Sequence, residues 1–204
     1  TGKLQVVGRV TPFGCSITRG GQRRYQGSSG RTSKECDAWA DTWPAQLAAT
    51  PADVAVVLEG PWEVADRKLP GDNVWRHPGD PAFDSYLNSE LLAAVDVLLK
   101  QVHTVVLLTS PNIQDSLELP NPPERPFPES DPARMAAFND ALRRVADERS
   151  AVEVVDLNAY LASLPGGEMD LSLRPDGVHF TLGSTHVVGP WIGQALLEAV
   201  HRHR

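Results

Sequence analysis

Residues 54–60 read Val-Ala-Val-Val-Leu-Glu-Gly, and this stretch decides the fold. A short apolar run, rich in β-branched residues and closed by a glycine, predicts a buried strand. Two further runs of this kind, Thr104–Leu108 and Val152–Val155, predict two more buried strands. The segment Leu4–Val10 predicts a fourth, short strand.

Four helical patterns separate or follow these strands, and they begin at Cys36, Pro81, Pro132 and near Thr181–Ser184. An aspartate, a preferred helix cap, precedes each of the two prolines. A proline-rich loop is expected over residues 117–131. Strands that alternate with helices predict an α/β fold with a parallel sheet covered on both faces. Ligands of such sheets bind beyond the carboxyl ends of the strands.

Length and composition narrow the classes of protein. The chain has 204 residues, enough for one domain over residues 1–204 with a sizeable core. Its formal net charge of -7 argues against a nucleic-acid binder, which needs clustered cations. No apolar run approaches the ~20 residues that span a membrane. The sequence begins with Thr1 rather than Met, and we expect it to be part of a longer protein.

Cys15 and Cys36 flank a polar stretch, Thr18–Lys34, that is rich in glycine and arginine and cannot pack by itself. A disulfide between them would close a loop of ~20 residues and stabilise the fold by roughly 3 kcal/mol. Two separate buried thiols are the alternative. The disulfide is favoured because the loop needs a covalent tie, and it implies an oxidising compartment outside the cytoplasm.

The clearest chemical signal is the segment Arg174–Thr181, which reads Arg-Pro-Asp-Gly-Val-His-Phe-Thr. Asp176 lies three residues before His179, so its carboxylate can hydrogen-bond one ring nitrogen and leave the other free as a base. An Asp-Gly turn beside a structural histidine is the alternative. The position before the last helix favours a site. The other histidines do not suggest a metal site, and no cofactor is predicted.

Two glycines, Gly14 and Gly60, stand at turns after predicted strands. A glycine at such a place allows close backbone approach and can offer its N–H to a developing oxyanion; a plain turn is the alternative. Trp62 and Glu63 follow Gly60 and are expected to face a cleft, with packing of Trp62 under the Pro81 helix as the alternative.

Three stretches together resemble the SGNH hydrolase superfamily, whose members have a three-layer αβα fold with a five-stranded parallel, flavodoxin-like sheet. The resemblance is closest to the extracytoplasmic SGNH domains fused behind multi-pass membrane acyltransferases that O-acylate envelope sugars. The stretches are Gly14–Ile17 with Cys36 and Trp39–Trp43, then Leu58–Arg67, and finally Arg174–Thr181.

The resemblance assigns the catalytic aspartate and histidine to Asp176 and His179, and the oxyanion glycine of the second family block to Gly14. The third block, Gly-x-Asn-Asp in the family, corresponds to residues 60–63, which read Gly-Pro-Trp-Glu. The asparagine donor of the oxyanion hole is therefore missing. The related acyltransferase-linked domains also depart from the family at this block.

The family's nucleophile block, Gly-Asp-Ser, does not occur in this sequence. In the family it precedes the strand that Leu4–Val10 matches, and it belongs to a strand in the middle of the sheet. We therefore expect the first strand and its serine to lie upstream of Thr1. Without that strand, the strands at Leu4 and Val54 would flank a gap of unpaired backbone groups, which is costly.

The resemblance implies serine-dependent transfer of O-acetyl or other O-acyl groups to a carbohydrate or glycolipid of the cell envelope. The domain would lie on the extracytoplasmic face of the membrane, tethered to an upstream membrane acyltransferase domain as its partner. One alternative is a carbohydrate esterase, and another uses Ser16 as a replacement nucleophile. A third is a non-catalytic glycan- or partner-binding module, with sugar-stacking surfaces from Trp39, Trp43, Trp62 and Trp75.

Overall fold

A computed structural model describes residues 4–10, 14–114 and 126–202 of the protein. Its strands are β1 (Gln22–Tyr25), β2 (Ser28–Arg31), β3 (Val54–Leu58), β4 (Asp66–Lys68), β5 (Thr104–Leu108) and β6 (Val152–Val155). Its helices are α1 (Lys34–Asp37), α2 (Trp39–Ala49), α3 (Pro81–Leu99), α4 (Pro132–Glu148), α5 (Leu157–Ser163) and α6 (Thr185–His201), with a 3-10 turn at Pro128–Ser130. Pro12 and Phe13, which lead into the turn predicted at Gly14, and residues 117–125 of the predicted proline-rich loop lie outside the described residues.

The three strands predicted from the apolar runs are confirmed as β3, β5 and β6, which form a parallel sheet with β5 in the centre. The burial predicted for the first of them is not confirmed, because β3 has half-buried and exposed side chains only. All side chains of β5 are buried, as expected for a strand covered on both faces. Val105 and Leu107 pack into the core formed with α3 and α4, whereas Val106 and Leu108 pack toward α6. The sheet therefore lies between two helical layers, in the predicted αβα arrangement.

The helix caps follow the sequence closely. Asp80 accepts a hydrogen bond from the backbone N–H of Ala82 at 2.9 Å, and Asp131 accepts one from that of Ala133 at 2.9 Å. The aspartates thereby satisfy N–H groups that a helix start leaves unpaired. The last helix begins slightly later than predicted, at Thr185. The single helix predicted from Cys36 is instead two short helices, α1 and α2.

The prediction of a strand at Leu4–Val10 is wrong: this segment has no regular structure, and its side chains are exposed. A strand needs a neighbour for its backbone hydrogen bonds, and no described strand pairs with it. β3 likewise pairs only with β5 among the described strands, and its Val56 and Leu58 are each 46% exposed. That a further strand fills this place, and that residues 1–204 form one domain, stay predictions.

The polar stretch between the cysteines contains an element that the sequence reasoning did not predict. β1 and β2 form an antiparallel hairpin, and β4 adds to it to give a second, small sheet in the order β2-β1-β4. The hairpin turns at Gln26 and Gly27, both with positive φ (49° and 76°), as in the tight turns that suit strand twist. The predicted disulfide between Cys15 and Cys36 is confirmed and encloses this hairpin.

Reduction of the Cys15–Cys36 disulfide is expected to lower the free energy of unfolding by about 3 kcal/mol, because it frees a long loop in the unfolded chain. Urea denaturation with and without dithiothreitol measures the difference. The Cys15→Ser/Cys36→Ser double variant is the control. Its free energy of unfolding should equal that of the reduced protein and should not change when dithiothreitol is added. Equal stability of the oxidised and reduced protein would contradict the expectation.

Candidate active site

Loops from three parts of the chain meet at the carboxyl edge of the parallel sheet. Gly60, after β3, lies beside Ser110, after β5: a Cβ atom built on Gly60 would stand 3.3 Å from the Ser110 hydroxyl oxygen. The backbone N–H of Gln114 donates to the carbonyl oxygen of Gly177 at 3.2 Å. The loop after β5 therefore contacts both the loop that carries Gly60 and the turn that carries His179.

Asp176 and His179 form the hydrogen bond that their spacing predicts. Asp176 Oδ2 lies 2.7 Å from His179 Nδ1, and Asp176 Oδ1 accepts from the backbone N–H groups of Val178 and His179 at 2.9 and 2.7 Å. The imidazole is 76% exposed, and its Nε2 has no hydrogen-bond partner in the part of the chain that the structure describes. With Nδ1–H donated to the carboxylate, Nε2 carries the lone pair and can act as a base.

The environment of Asp176 keeps it ionised. Partial burial acts to raise its pKa, but hydrogen bonds from the His179 ring and from the backbone N–H groups of His179 and Val178 outweigh this effect. Together they lower the pKa of Asp176 from 3.8 to about 2. A carboxylate that stays charged across the neutral range can orient the imidazole and stabilise the imidazolium formed when it takes a proton.

A buried arginine supports the turn that carries Asp176 and His179. Arg174, 1% exposed, donates from Nη2 to the carbonyl oxygens of Asn112, at 2.7 Å, and of Glu168. The Glu168 carboxylate accepts from the backbone N–H of Asn112 at 2.9 Å and from its side-chain amide at 2.7 Å. Sequence reasoning missed Glu168 and Asn112 because this contact joins residues 56 positions apart. The sequence offered one indication of this support, because Arg174 stands two residues before Asp176.

Glu63 does not face a cleft, contrary to the expectation from the sequence. Its side chain is fully buried, and its carboxylate accepts from the backbone N–H of Ile17 and, at 2.7 Å, from the Thr18 hydroxyl. Burial raises the pKa of Glu63, while nearby Arg67 and these hydrogen bonds oppose the rise. A buried carboxyl group needs such partners. The hydrogen bonds of Glu63 to Ile17 and Thr18 hold the segment that follows Cys15 against the loop after β3.

Ser16 is not placed to serve as a replacement nucleophile. It is 4% exposed, and its hydroxyl donates to the Thr18 carbonyl oxygen at 2.9 Å while accepting from Arg67 Nη2 at 2.6 Å. Both contacts belong to the buried network around Glu63, and neither involves His179. The side chain therefore has a structural role.

All four tryptophans considered for sugar stacking contact other side chains of the protein. Trp39 is 4% exposed and donates from Nε1 to the carbonyl oxygen of Ile17 at 2.9 Å. Trp43 packs beside it, with the ring centroids 5.1 Å apart. The guanidinium of Arg24 lies 4.7 Å from the ring centroid of Trp75.

Trp62 lines a surface cleft on the β1–β2 hairpin. Its ring centroid lies 4.5 Å from that of Tyr25 and 4.4 Å from the guanidinium carbon of Arg23. Arg23 Nη1 donates to the carbonyl oxygen of Gly14 at 2.7 Å, which places this cleft beside the glycine predicted to donate to the oxyanion. Gly14 has a φ of 72°, which favours glycine. The donor roles of Gly14 and Gly60, and a substrate-binding role of Trp62, stay predictions.

A second cleft, with a volume of about 210 Å³, lies at the end of β3 and is lined by Glu59, Trp43, Gln46 and the disulfide. Burial raises the pKa of Glu59 to about 8, and the nearby Glu63 adds to the rise. Glu59 is therefore mostly protonated at neutral pH and able to donate a hydrogen bond. Sequence reasoning did not single it out, although its position directly after β3 was a signal.

The described part of the chain places no serine in contact with the Asp176–His179 pair. No serine within it is hydrogen-bonded to His179, and the expected serine upstream of Thr1 stays a prediction. Over the same ranges, no group of three or more histidine, cysteine, aspartate or glutamate side chains is arranged to hold a metal ion.

Comparison with known proteins gives a match over most of the chain. The model of the GDSL-like Lipase/Acylhydrolase family matches residues 13–182. This region includes Gly14, Gly60, Asp176 and His179. No curated protein matches the chain.

Gly177→Ala is expected to displace the turn that carries Asp176 and His179. A Cβ atom at Gly177 would lie 1.6 Å from the Gln114 carbonyl oxygen, so the backbone must move. We expect a loss of about 2–4 kcal/mol in unfolding free energy, measured by urea denaturation. Gly167→Ala is the matched control: its φ is also positive, but the space around it is open, so about 1 kcal/mol is expected. Equal effects of the two variants would contradict the close approach.

Acidification is expected to destabilise the protein through Asp176. Its pKa in the folded protein, about 2, lies below the ordinary 3.8, so its stabilising effect is complete above pH ~4 and is lost as the pH falls toward ~2. Asp176→Asn should reduce this acid loss by about 1–2 kcal/mol, allowing for solvent screening. Denaturation curves at several pH values measure it. Asp147→Asn, an exposed substitution on α4, should leave the pH profile unchanged.

Proposed function

Because the chain belongs to the GDSL-like lipase/acylhydrolase family, we propose that it acts in serine-dependent transfer of O-acetyl or other O-acyl groups to a carbohydrate or glycolipid of the cell envelope. The observation that carries this proposal is the pair formed by Asp176 and His179, with a hydrogen bond of 2.7 Å. The pair lies at the carboxyl end of the sheet, where ligands of parallel α/β folds bind. Nδ1 of His179 is held by Asp176, so Nε2 is left to contact a substrate.

In the proposed reaction, a serine hydroxyl attacks the acyl carbonyl carbon while His179 Nε2 takes the hydroxyl proton. Asp176 holds the ring and stabilises its positive charge. Backbone N–H groups of Gly14 and Gly60 stabilise the oxyanion. His179 then returns the proton to the leaving alcohol, which leaves an acyl-serine. A carbohydrate hydroxyl attacks this ester, gives its proton to His179, and regenerates the serine as the proton is passed back.

The proposed serine comes from a strand that pairs with the free edge of β3. Two observations support this origin: the sequence contains no Gly-Asp-Ser, and Val56 and Leu58 of β3 are each 46% exposed at an edge that no described strand covers. A strand added parallel to β3 would end beside the loop that carries Gly60. This is the carboxyl end of the sheet, where His179 also lies.

The proposed location is the extracytoplasmic side of the membrane. The disulfide between Cys15 and Cys36 supports it, because such bonds persist in oxidising compartments. The described helices include none that is both long enough and apolar enough to span a membrane. The similarity to domains fused to membrane acyltransferases supports an upstream membrane domain as the partner that tethers this one and supplies acyl groups.

Hydrolysis of carbohydrate esters is the second candidate function. It is favoured by the 76% exposure of the His179 side chain, since water can reach the base that activates the attacking hydroxyl. Transfer requires the acceptor sugar to displace this water. The ratio of acylated sugar to free acid, measured with an activated acetyl ester and excess oligosaccharide, separates the two candidates.

The residues encoded before Thr1 provide the first test of the proposal. Protein that includes them is expected to contain Gly-Asp-Ser and to be labelled by a serine-reactive phosphonate, whereas residues 1–204 alone should not be labelled. A protein that lacks the block and resists labelling, yet binds oligosaccharides, would favour a non-catalytic binding module.

His179→Ala, made in the protein that includes the residues before Thr1, is expected to lower kcat/KM for an acetyl ester by about 10³- to 10⁴-fold, because the general base is lost. His186→Ala, which removes another exposed histidine, is the control and should keep full activity. Retained activity of the His179→Ala protein would refute the assigned base.

A further inference from the structure

The cleft on the β1–β2 hairpin differs from the rest of this acidic protein in its charge. It has a volume of about 340 Å³, and its lining includes Arg23, Arg31, Gln26 and Trp62 but no aspartate or glutamate among the described residues. Cavities of this size accept small ligands. The chain as a whole carries a net charge of -7, whereas the charged side chains that line this cleft are both arginines. A carboxylate lies behind the lining, where the buried Glu129 accepts from the backbone N–H of Gln26.

The two neighbouring arginines of β1 show why this charge is unusual. Arg24 lies on one face of the small sheet opposite Asp66, and the two form an ion pair at 2.5 Å. Arg23 lies on the other face opposite Arg67, and within the described ranges no carboxylate forms an ion pair with it. Burial and the positive charge of Arg67 lower the pKa of Arg23, whereas the nearby Glu63 and Tyr25 oppose the shift. An anion bound at Arg23 would relieve this repulsion.

Aromatic and backbone contacts hold Arg23 in position. Its guanidinium lies over the Trp62 ring, 4.4 Å from the centroid, and donates from Nη1 to the Gly14 carbonyl oxygen at 2.7 Å. A guanidinium has five N–H donors, so most remain for a ligand. Positioning before binding reduces the entropy that binding costs, and a planar guanidinium suits carboxylate and phosphate oxygens.

A buried side-chain amide beside the cleft also lacks an acceptor. The side-chain Nε2 of Gln26 is buried and has no hydrogen-bond partner among the described residues. Gln26 also has a positive φ of 49°, uncommon for a residue other than glycine. Buried donors are nearly always paired, so an unpaired one in a residue that lines the cleft is unusual.

The cleft has open space where such a ligand needs it. Gly30 of β2 pairs with Arg23 in the hairpin register, and a Cβ atom built on Gly30 would meet no atom within 4 Å. The hydroxyl groups of Ser28 and Ser29 add further polar groups to the lining. The site thus combines a positioned cation, an unpaired amide donor, hydroxyl groups and aromatic rings.

We propose that this cleft binds the anionic group of an acidic carbohydrate, with a carboxylate or phosphate at Arg23 and the sugar ring in the space beside Gly30. The assignment to a substrate rests on the proposed acyl transfer, because Gly14 joins the cleft to the predicted oxyanion site. The binding itself does not depend on the reaction. Acidic sugars would therefore be selected over neutral ones before any acyl group moves.

Equilibrium binding, measured by titration calorimetry and tryptophan fluorescence, tests the site. The probes are a galacturonic acid trisaccharide, glucose 6-phosphate and a neutral galactose trisaccharide. We expect at least one acidic probe to bind about tenfold tighter than the neutral trisaccharide, with a preference that weakens as salt is added. The tighter of the two acidic probes identifies the anion as carboxylate or phosphate. Equal binding of acidic and neutral probes, or binding of none, would overturn the proposal.

Two variants and two controls locate the site. Arg23→Gln should abolish the acidic preference, whereas Lys100→Gln, the same change of charge after α3, should retain it. Gly30→Leu should fill the cleft and weaken binding of the preferred acidic probe about tenfold or more, whereas Gly189→Leu, which adds the same side chain in open space on α6, should not. Thermal melts verify that each variant folds. A preference that survives both Arg23→Gln and Gly30→Leu would place the ligand elsewhere.

The His179→Ala protein separates this proposal from the proposed function. It should bind the acidic probes as tightly as the unmodified protein, because His179 does not line the cleft. Absence of turnover by the unmodified protein with every ester would refute acyl transfer and leave the binding result standing. Loss of the acidic preference in a protein that still transfers acyl groups would refute the anion site alone.

Discussion

The burial of the Glu63 carboxyl group is the constraint on which the arrangement of the hairpin and of the loops around the candidate site depends. Burying such a group is costly unless hydrogen bonds and an opposite charge compensate for lost hydration. Glu63 obtains these from the Ile17 N–H, the Thr18 hydroxyl and nearby Arg67. The guanidinium of Arg67 also donates into the segment that follows the disulfide. These contacts fix that segment against the loop after β3, so Gly14, the hairpin and its cleft take their places relative to the parallel sheet.

The parts of the fold that depend on neighbouring residues were predictable from the sequence. Apolar runs located β3, β5 and β6, and an aspartate before a proline located the starts of α3 and α4. The hairpin was missed because β1, Gln-Arg-Arg-Tyr, has no alternation of apolar and polar residues. Distant contacts such as the Arg24–Asp66 ion pair hold it instead. The prediction of a strand at Leu4–Val10 was wrong for the opposite reason. Its residue pattern suits a strand, but a strand also requires a neighbouring strand to pair with.

The same division applies to the site. Asp176 and His179 could be paired from their spacing, because the turn between them brings the carboxylate to the ring. The support that Glu168 gives to this turn could not be predicted, because it depends on how the β5 loop packs. At Trp62 and Glu63 the sequence showed a loop at the ligand edge but not which side chain turns inward. The structure buries the acid and leaves the aromatic ring at the cleft, the reverse of what hydropathy alone suggests.

The bare edge of β3 has a consequence for handling the protein. Its outer backbone groups have no partner strand among the described residues, and Val56 and Leu58 add apolar surface beside them. Such an edge is a template for pairing with another chain, and natural proteins usually blunt it with charges, prolines or a covering segment. At high concentration, two copies can associate edge to edge through β3. Dimers or aggregates of residues 1–204 would then report an uncovered strand rather than a physiological assembly, and a lysine in place of Val56 would suppress them.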